Sequence, residues 1–469
     1  MTFVARELWW FESISFYDPD TGSNKNVVNP PIPPDSVPLL LLAPFAVLLA
    51  AIAVGPLFFV GWWHRHYPKV AVGLAVGVVG YYFLGLHHPE RIRETAREYL
   101  DFIGLIGSLF VVSGGIHITV KGDATPAGNV LFLLIGAVTA NVLGTTGASM
   151  LLIRPWLRMN QSRVAAHHIV FFIFIVSNVG GCLTPIGDPP LFLGYLMGVP
   201  FWWTAQHCLP MWCAGVGILL VMFFAVDYRN HLQAVEAIRE KRTASESWRI
   251  DGLPNLFFLA IILLATMVGN PPFLREGLMI AAALGSWYTT ARRVHEANHF
   301  TWEPVKEVAI LFIGIFGTMM PALDWLQANA ARLPIPSTGT FYFGSGGLSS
   351  VLDNAPTYVC FLKALIGRLI DPNAVTHAAL AHPTLTTDQV QVGLLLADPK
   401  LSGYLLALSI GSVFFGACTY IGNGPNFMVK SIADQQKVPT PSFLTYIVRF
   451  TLPFLLPMLV IVWWLFFRG

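Results

Sequence analysis

The sequence predicts an all-α polytopic membrane protein: about ten transmembrane helices plus two re-entrant hairpins, in a five-plus-five inverted repeat with two broken helices. Three observations predict it. The 469 residues are 55% hydrophobic and only 12% charged, with a mean hydropathy of +0.61, whereas an ordinary soluble domain carries about 25% charge. Ten apolar runs approach the roughly 20 residues a spanning helix needs. Two polar motifs, TPIGDPP at Thr184 to Pro190 and TYIGNGP at Thr419 to Pro425, sit inside the two longest runs in nearly the same form.

Residues 1–37 hold Glu7, Glu12, Asp18, Asp20 and Asp35 and end in NPPIPPDSVP. With no basic start before a short apolar core, this reads as an extracytoplasmic polar tail rather than a signal peptide. The first repeat, 38–226, holds spans near 39–61, 70–87 and 100–120, a hairpin over 127–153, a broken helix over 166–199 and a last span at 207–226. A cytoplasmic linker, 227–254, leads to the second repeat, 255–469. Its spans lie near 255–270, 276–291 and 307–327, its hairpin at 339–370, its broken helix at 400–430 and its last span at 443–467.

The hairpin assignments rest on length. NVLGTTGAS (Asn141 to Ser149) and SSVLDNAPT (Ser349 to Thr357) each divide two apolar arms too short to span. The halves then align, Val142-Leu143-Gly144-Thr145 with Val351-Leu352-Asp353-Asn354, and Thr184-Pro185-Ile186-Gly187-Asp188 with Thr419-Tyr420-Ile421-Gly422-Asn423. An internal repeat of this kind defines the architecture before any single element does. With the tail outside, 16 of the 28 Lys and Arg residues fall in inside loops, which favours an outside N-terminus; the membrane expected is a bacterial cytoplasmic (inner) membrane. An odd number of spans per half inverts the second half, and inverted repeats with paired broken helices are a transporter signature.

Composition also excludes classes. A net charge of +2 without a long basic run gives no footprint for nucleic acid. The five cysteines form no CxxC pair, so they read as small packing hydrophobes. No His-Glu-x-x-His, Gly-x-Ser-x-Gly or phosphate loop points to an enzyme, and no cofactor is expected.

Pro185, Pro189 and Pro190 break the helical ladder where Gly187, Gly422 and Gly424 permit close approach. Irregular chain at membrane depth must line a protected cavity. A charged Asp at the bilayer centre costs at least about 2.5–3.5 kcal/mol, so Asp188 in the first break and Asp353 at the second hairpin tip are the candidate cation- and proton-binding groups. The structural alternative is an ion pair or helix cap, and Asp188 before two prolines fits a helix N-cap. Around these acids the oxygen-bearing or close-approach positions are Asn141, Gly144, Thr145, Thr146, Ser177, Asn178, Thr184, Gly187, Asn354, Thr357, Thr419, Gly422, Asn423 and Asn426. Oxygen-rich sites suit hard cations, and the set predicted to hold Na+ is Asp188, Asp353, Asn354 and Asn423. Elsewhere, His117 reads as a packing histidine ahead of a cavity residue. His167-His168 reads as interfacial. The segment 87–99, with three Glu and three Arg, reads as a solvated helix face.

At ANVLGTTGASMLLIRPWLRMN (140–160), SNVGGCLTPIGDPPLFLGYLMGVPF (177–201), SSVLDNAPTY (349–358) and ACTYIGNGPNFMVKSIA (417–433) the sequence resembles the ion transporter superfamily. That group includes NhaD-type sodium/proton antiporters, arsenite permeases, citrate transporters and divalent-anion/sodium symporters. The resemblance implies a scaffold plus a moving transport domain, an elevator-type step and a homodimer, with the hairpin tips and helix breaks forming the site. Gly144-Thr145-Thr146 and Asp353-Asn354-Ala355 stand where symporter tips usually carry Ser-Asn-Thr, and Gly187-Asp188-Pro189-Pro190 where the break often reads Gly-Thr-Pro-Pro. Acids at those places favour sodium (or lithium)/proton antiport within the lipid bilayer. The alternative is a citrate, dicarboxylate or arsenite-type oxyanion transporter of the same fold, whose anion needs an intervening cation. A channel or membrane-embedded enzyme is the third reading.

Overall fold

The computed structural model describes residues 38–119, 125–238, 249–265, 268, 273–298, 300–329, 337–351, 354–382 and 385–468. The polar tail and Asp353 lie outside the described residues. Among the described residues the regular structure is helical apart from a short antiparallel ribbon that pairs His117–Thr119 with Arg249–Asp251. Among the described residues six helices are long and apolar enough to cross a membrane, and several shorter apolar helices accompany them.

The helices are α1 (Ala43–Phe58), α2 (Val60–Leu84), α3 (Pro89–Gly114), α4 (Pro126–Met159), α5 (Ala166–Ile175), α6 (Pro189–Leu196) and α7 (Phe201–Ile238). There follow α8 (Asn255–Ala265), α9 (Leu274–Thr289), α10 (Arg292–Ala297), α11 (Glu303–Asn329), α12 (Thr338–Ser349), α13 (Asn354–Leu369), α14 (Pro372–Ala381), α15 (Thr387–Ala397), α16 (Pro399–Phe415), α17 (Gly424–Gln435) and α18 (Phe443–Phe466). α7 runs past residue 226, so Asp227 lies inside a helix and not in a connecting segment. Its sequence stays apolar through Val226, and a single Asp does not stop a helix that tertiary packing holds.

α4 is a hairpin. At Gly144 the backbone leaves the helix with φ 73 and ψ 157, a conformation that only glycine adopts readily. Beyond that point the second arm returns along the first. Asn129 and Asn160 exchange side-chain hydrogen bonds of 2.8 and 3.1 Å, although a straight helix would separate them by about 46 Å. Phe132 stacks on Trp156 with ring centroids 5.4 Å apart. α12 and α13 fold back in the same way, with Phe341 and Phe361 at 5.9 Å.

The packing follows the repeat and exchanges partners across it. α3 lies against α8 and α9, where Arg275 Nη2 meets Asp101 Oδ2 at 2.6 Å. Its counterpart α11 lies against α1 and α2, with a Cβ at Gly314 reaching Ala71 at 2.8 Å and Leu48 at 3.0 Å. α3 and α11 meet through stacked Phe102 and Phe312, 4.5 Å apart. In the other part of the molecule, α6 packs on α13 of the second hairpin and α17 packs on α4. The first half of each broken helix packs on its own repeat's hairpin, α5 on α4 and α16 on α12. Each hairpin is therefore clasped by pieces of both breaks.

Candidate functional site

Both breaks leave carbonyls without helical partners, and hydroxyls and ring N–H groups from neighbouring helices satisfy them in parallel. In the first, Thr204 on α7 donates to Leu183 O (3.0 Å) and Trp212 Nε1 to Gly180 O (2.8 Å). In the second, Thr451 on α18 donates to Cys418 O (2.7 Å) and Tyr446 to Ala417 O (2.8 Å). This is how non-helical backbone is tolerated at membrane depth.

The breaks tie to the hairpin tips by matched bonds. Thr184 donates to Asn141 O and Thr419 to Ser350 O, each at 2.6 Å. Each threonine oxygen also accepts from the glycine three residues on, Gly187 and Gly422, both at 3.1 Å. Those two glycines lie against chain: a Cβ would stand 2.0 Å from Gly181 O at Gly187, and 2.6 Å from Gly416 O at Gly422. Thr145 N donates to Gly187 O at 2.8 Å, which completes the seam between the first tip and the first break.

Asp188 is where the four motifs meet. Its side chain is 1% exposed. Oδ1 accepts from the Thr145 hydroxyl at 2.8 Å and from Asn423 Nδ2 at 3.1 Å, and Oδ2 accepts from Asn354 Nδ2 at 2.6 Å. One donor comes from each hairpin tip and one from the opposite break. Thr145 and Asn354 are equivalent in the repeat, as are Asp188 and Asn423. Asp188 does occupy the N-cap position of α6, with extended backbone (φ −147, ψ 143), but its carboxylate makes no cap hydrogen bond. The capping role predicted from Pro189-Pro190 is thus limited to the backbone, and the side chain is directed to the repeat interface. Four helical segments start around it, at Thr145, Pro189, Asn354 and Gly424, and their N-termini favour negative charge.

The remaining candidates form the support. Asn178 donates to Asn426 Oδ1 (2.7 Å) and Ile173 O (2.9 Å), and its Oδ1 accepts from Asn423 (3.2 Å). Asn426 donates to Gly416 O (2.8 Å) and Thr419 O (2.9 Å). Ser177 bonds Ser149 at 2.7 Å. Asn141 holds Gly180 O at 2.7 Å and accepts from Leu183 N at 2.8 Å. Thr357 is buried one turn into α13. Thr146 is half-buried and lines, with Gly144, Thr145, Ile186, Gly187 and Leu109, a cavity of about 30 Å³. That is room for one or two water-sized occupants. Asn354 Oδ1 is buried with no hydrogen-bond partner among the described residues, an acceptor beside the carboxylate that a cation or proton donor would satisfy.

Two expectations about lesser residues change. His167 and His168 are not interfacial; they are 7% and 0% exposed. Both face Asp227, from which Nε2 of each lies 3.2 and 3.1 Å away. The segment 87–99 is only partly solvated, since Arg91 pairs with Asp324 at 3.2 Å. His117 is a packing residue, bonded to Asn298 Oδ1 at 2.8 Å. The centre at Asp227 was missed because its members lie far apart in sequence, though an Asp and an Asn (Asn129) inside apolar helices were a readable signal. His167, His168 and Asp227 bring three possible ligand atoms within 4.8 Å, but Arg163 forks onto both oxygens of Asp227. The guanidinium thus supplies a counter-charge for the carboxylate there.

No curated protein matches the chain. The model of a family described as "Putative citrate transport" matches residues 34–467, nearly the full length and all four motifs. The chain therefore belongs to that family, within the ion transporter superfamily.

Proposed function

We propose that the protein is a secondary active transporter in which Asp188 alternately carries a proton and a cation, exchanging sodium (or lithium) for protons by an elevator-type step. The observation that carries this reading is the convergence of both hairpin tips and both breaks on one buried carboxylate. A carboxylate bonded to both tips and to the opposite break holds these segments together as one body that can carry its occupant past a scaffold, as an elevator-type step requires. Asp188, Asn354 through its open Oδ1, Asn423 and the neighbouring Asp353 form the proposed sodium set, and the adjacent cavity suits a small ion. The bundle of α1–α3 and α8–α11 is the proposed scaffold, and the hairpins with the broken helices the moving part. A homodimer and an outside N-terminus complete the reading.

A second reading is favoured by the family description and by the four helix N-termini around Asp188. In it, citrate or a similar carboxylate or oxyanion is the passenger and the proton or cation on Asp188 its partner. Currents from purified protein on solid-supported membranes separate the two. Sodium jumps that give pH-dependent currents without citrate support exchange; currents that need citrate or arsenite support anion carriage. Silence to all of them overturns both.

A further inference from the structure

A second buried ionic centre lies at the base of the α4 hairpin, about 24 Å down the arm from Thr145 by the helical rise. Asp227 on α7 is fully buried. Arg163, between α4 and α5, donates from Nη1 to Oδ1 and from Nη2 to Oδ2, the latter at 3.0 Å. Asn129 on the first arm donates to Oδ2 at 2.8 Å and also grips Asn160 at the end of the second arm. His167 and His168 approach from the start of α5, their rings 4.1 Å apart. Asn230 on α7 donates to Arg163 O at 3.0 Å. Both arms of the hairpin, α5 and α7 thus hang on one carboxylate.

His168 has two different faces. Its Nε2 lies 3.1 Å from Asp227 Oδ1, while its Nδ1 accepts from the Ala165 backbone N–H at 3.2 Å and so caps α5. A ring with this pattern is neutral and carries its hydrogen on Nε2. An added proton has one place to go, Nδ1, where it turns the acceptor of the Ala165 N–H into a donor. It also adds positive charge beside Arg163 and competes for Asp227.

We propose that Asp227, Arg163 and His168 form a positioning device that fixes the α4 hairpin against α5 and α7, and that one proton at His168 Nδ1 releases it. Its consequence for transport rests on the reading above, because the same hairpin delivers Thr145 to Asp188; the release itself does not. The other titratable groups on the elements packed here include Arg154 and Arg158 on α4, His167 on α5, His207, Tyr228, Arg229 and His231 on α7, the Lys430–Asp434 pair on α17 (2.5 Å), and Tyr446 and Arg449 on α18. Among the described residues, Asp227 is the carboxylate within 3.2 Å of the imidazoles.

The test is hydrogen–deuterium exchange on the full chain in nanodiscs at about pH 8 and about pH 5.5, corrected for intrinsic exchange. Peptides covering 126–131 and 160–170 are expected to exchange about fivefold faster at the lower pH. His168→Gln keeps an acceptor for Ala165, since Gln at this helix position forms a capping box, and cannot titrate; its response is expected to vanish. His167→Gln leaves the Ala165 bond in place and is expected to respond like the natural protein. Asp188→Asn is expected to keep the exchange response while losing transport, which separates failure of this proposal from failure of the transport reading. A pH-invariant natural protein, or a response that follows His167 instead of His168, overturns it.

Discussion

Replacing Asp188 by Asn is the perturbation for which the structure yields a worked magnitude. Among the described residues three donors aim at its carboxylate, from Thr145, Asn423 and Asn354. A hydrogen bond to a charged group contributes about 1.5–3 kcal/mol and a neutral one about 0.5–1.5, so the change weakens three bonds by roughly 1 kcal/mol each. The new amide N–H₂ would face Asn354 Nδ2, donor against donor. Asn354 relieves this by turning its own amide, which also employs the Oδ1 that now lacks a partner. Against the loss of about 3 kcal/mol stands the removal of a buried charge, worth about 2.5–3.5 kcal/mol on insertion scales. The terms cancel within their spread. Asp188→Asn is thus expected to express and unfold like the natural protein, by fluorescence size-exclusion and thermal melting, while sodium-dependent proton release in vesicles is lost. Undiminished proton release from the variant would refute the carboxylate's role. A variant too unstable to purify would refute the bond accounting.

The other predictions test the framework that presents this group. Gly144→Ala places a side chain at φ 73 with its Cβ 3.1 Å from Ile186 O; a strain of about 1–3 kcal/mol is expected, read as a lower melting temperature with transport impaired beyond the loss of folded protein. Thr184→Val and Thr419→Val remove equivalent bonds of 2.6 Å. Each also removes the bond accepted from Gly187 or Gly422, so each is expected to cost about 1–3 kcal/mol at about 0.5–1.5 per bond, and a large inequality between their melting shifts would argue against a working two-fold relation. Asp227→Asn removes the buried carboxylate charge onto which Arg163 forks, a change expected to destabilise by about 3–5 kcal/mol, visible in thermal melting and in the yield of folded protein.

Much of the architecture was legible because a bilayer simplifies the reading. Apolar run length marks spans, and proline or a polar cluster inside such a run marks an interruption. The recurrence of Thr-x-Ile-Gly-Asp/Asn-x-Pro placed the two breaks, and the short arms around Gly144 and Asp353 placed the two hairpins. Asn141, Thr145, Asn178, Thr184, Asn354, Thr419, Asn423 and Asn426 were picked out as one set, and the structure joins them through Asp188 and its supports. The ends of α7 and the burial of His167 and His168 were not legible. Helix termini depend on what the chain packs against, and a polar pair at the mouth of an apolar run looks the same whether water or a buried carboxylate awaits it.

What the sequence determined by itself was the membrane-embedded helical class, the order of elements in each half and the identity of the polar groups set into them. Hydrophobicity, helix-breaking residues and internal repetition are local properties that need no partner to be read. Only the tertiary structure decided that Asp188 turns away from its own helix toward Thr145, Asn354 and Asn423, and that α3 and α11 exchange partners across the repeat. Only it gathered Asn129, Arg163, His168 and Asp227 into one centre. Those outcomes depend on which buried donors find which acceptors among segments distant in the chain, a matching that is settled when the helices pack together.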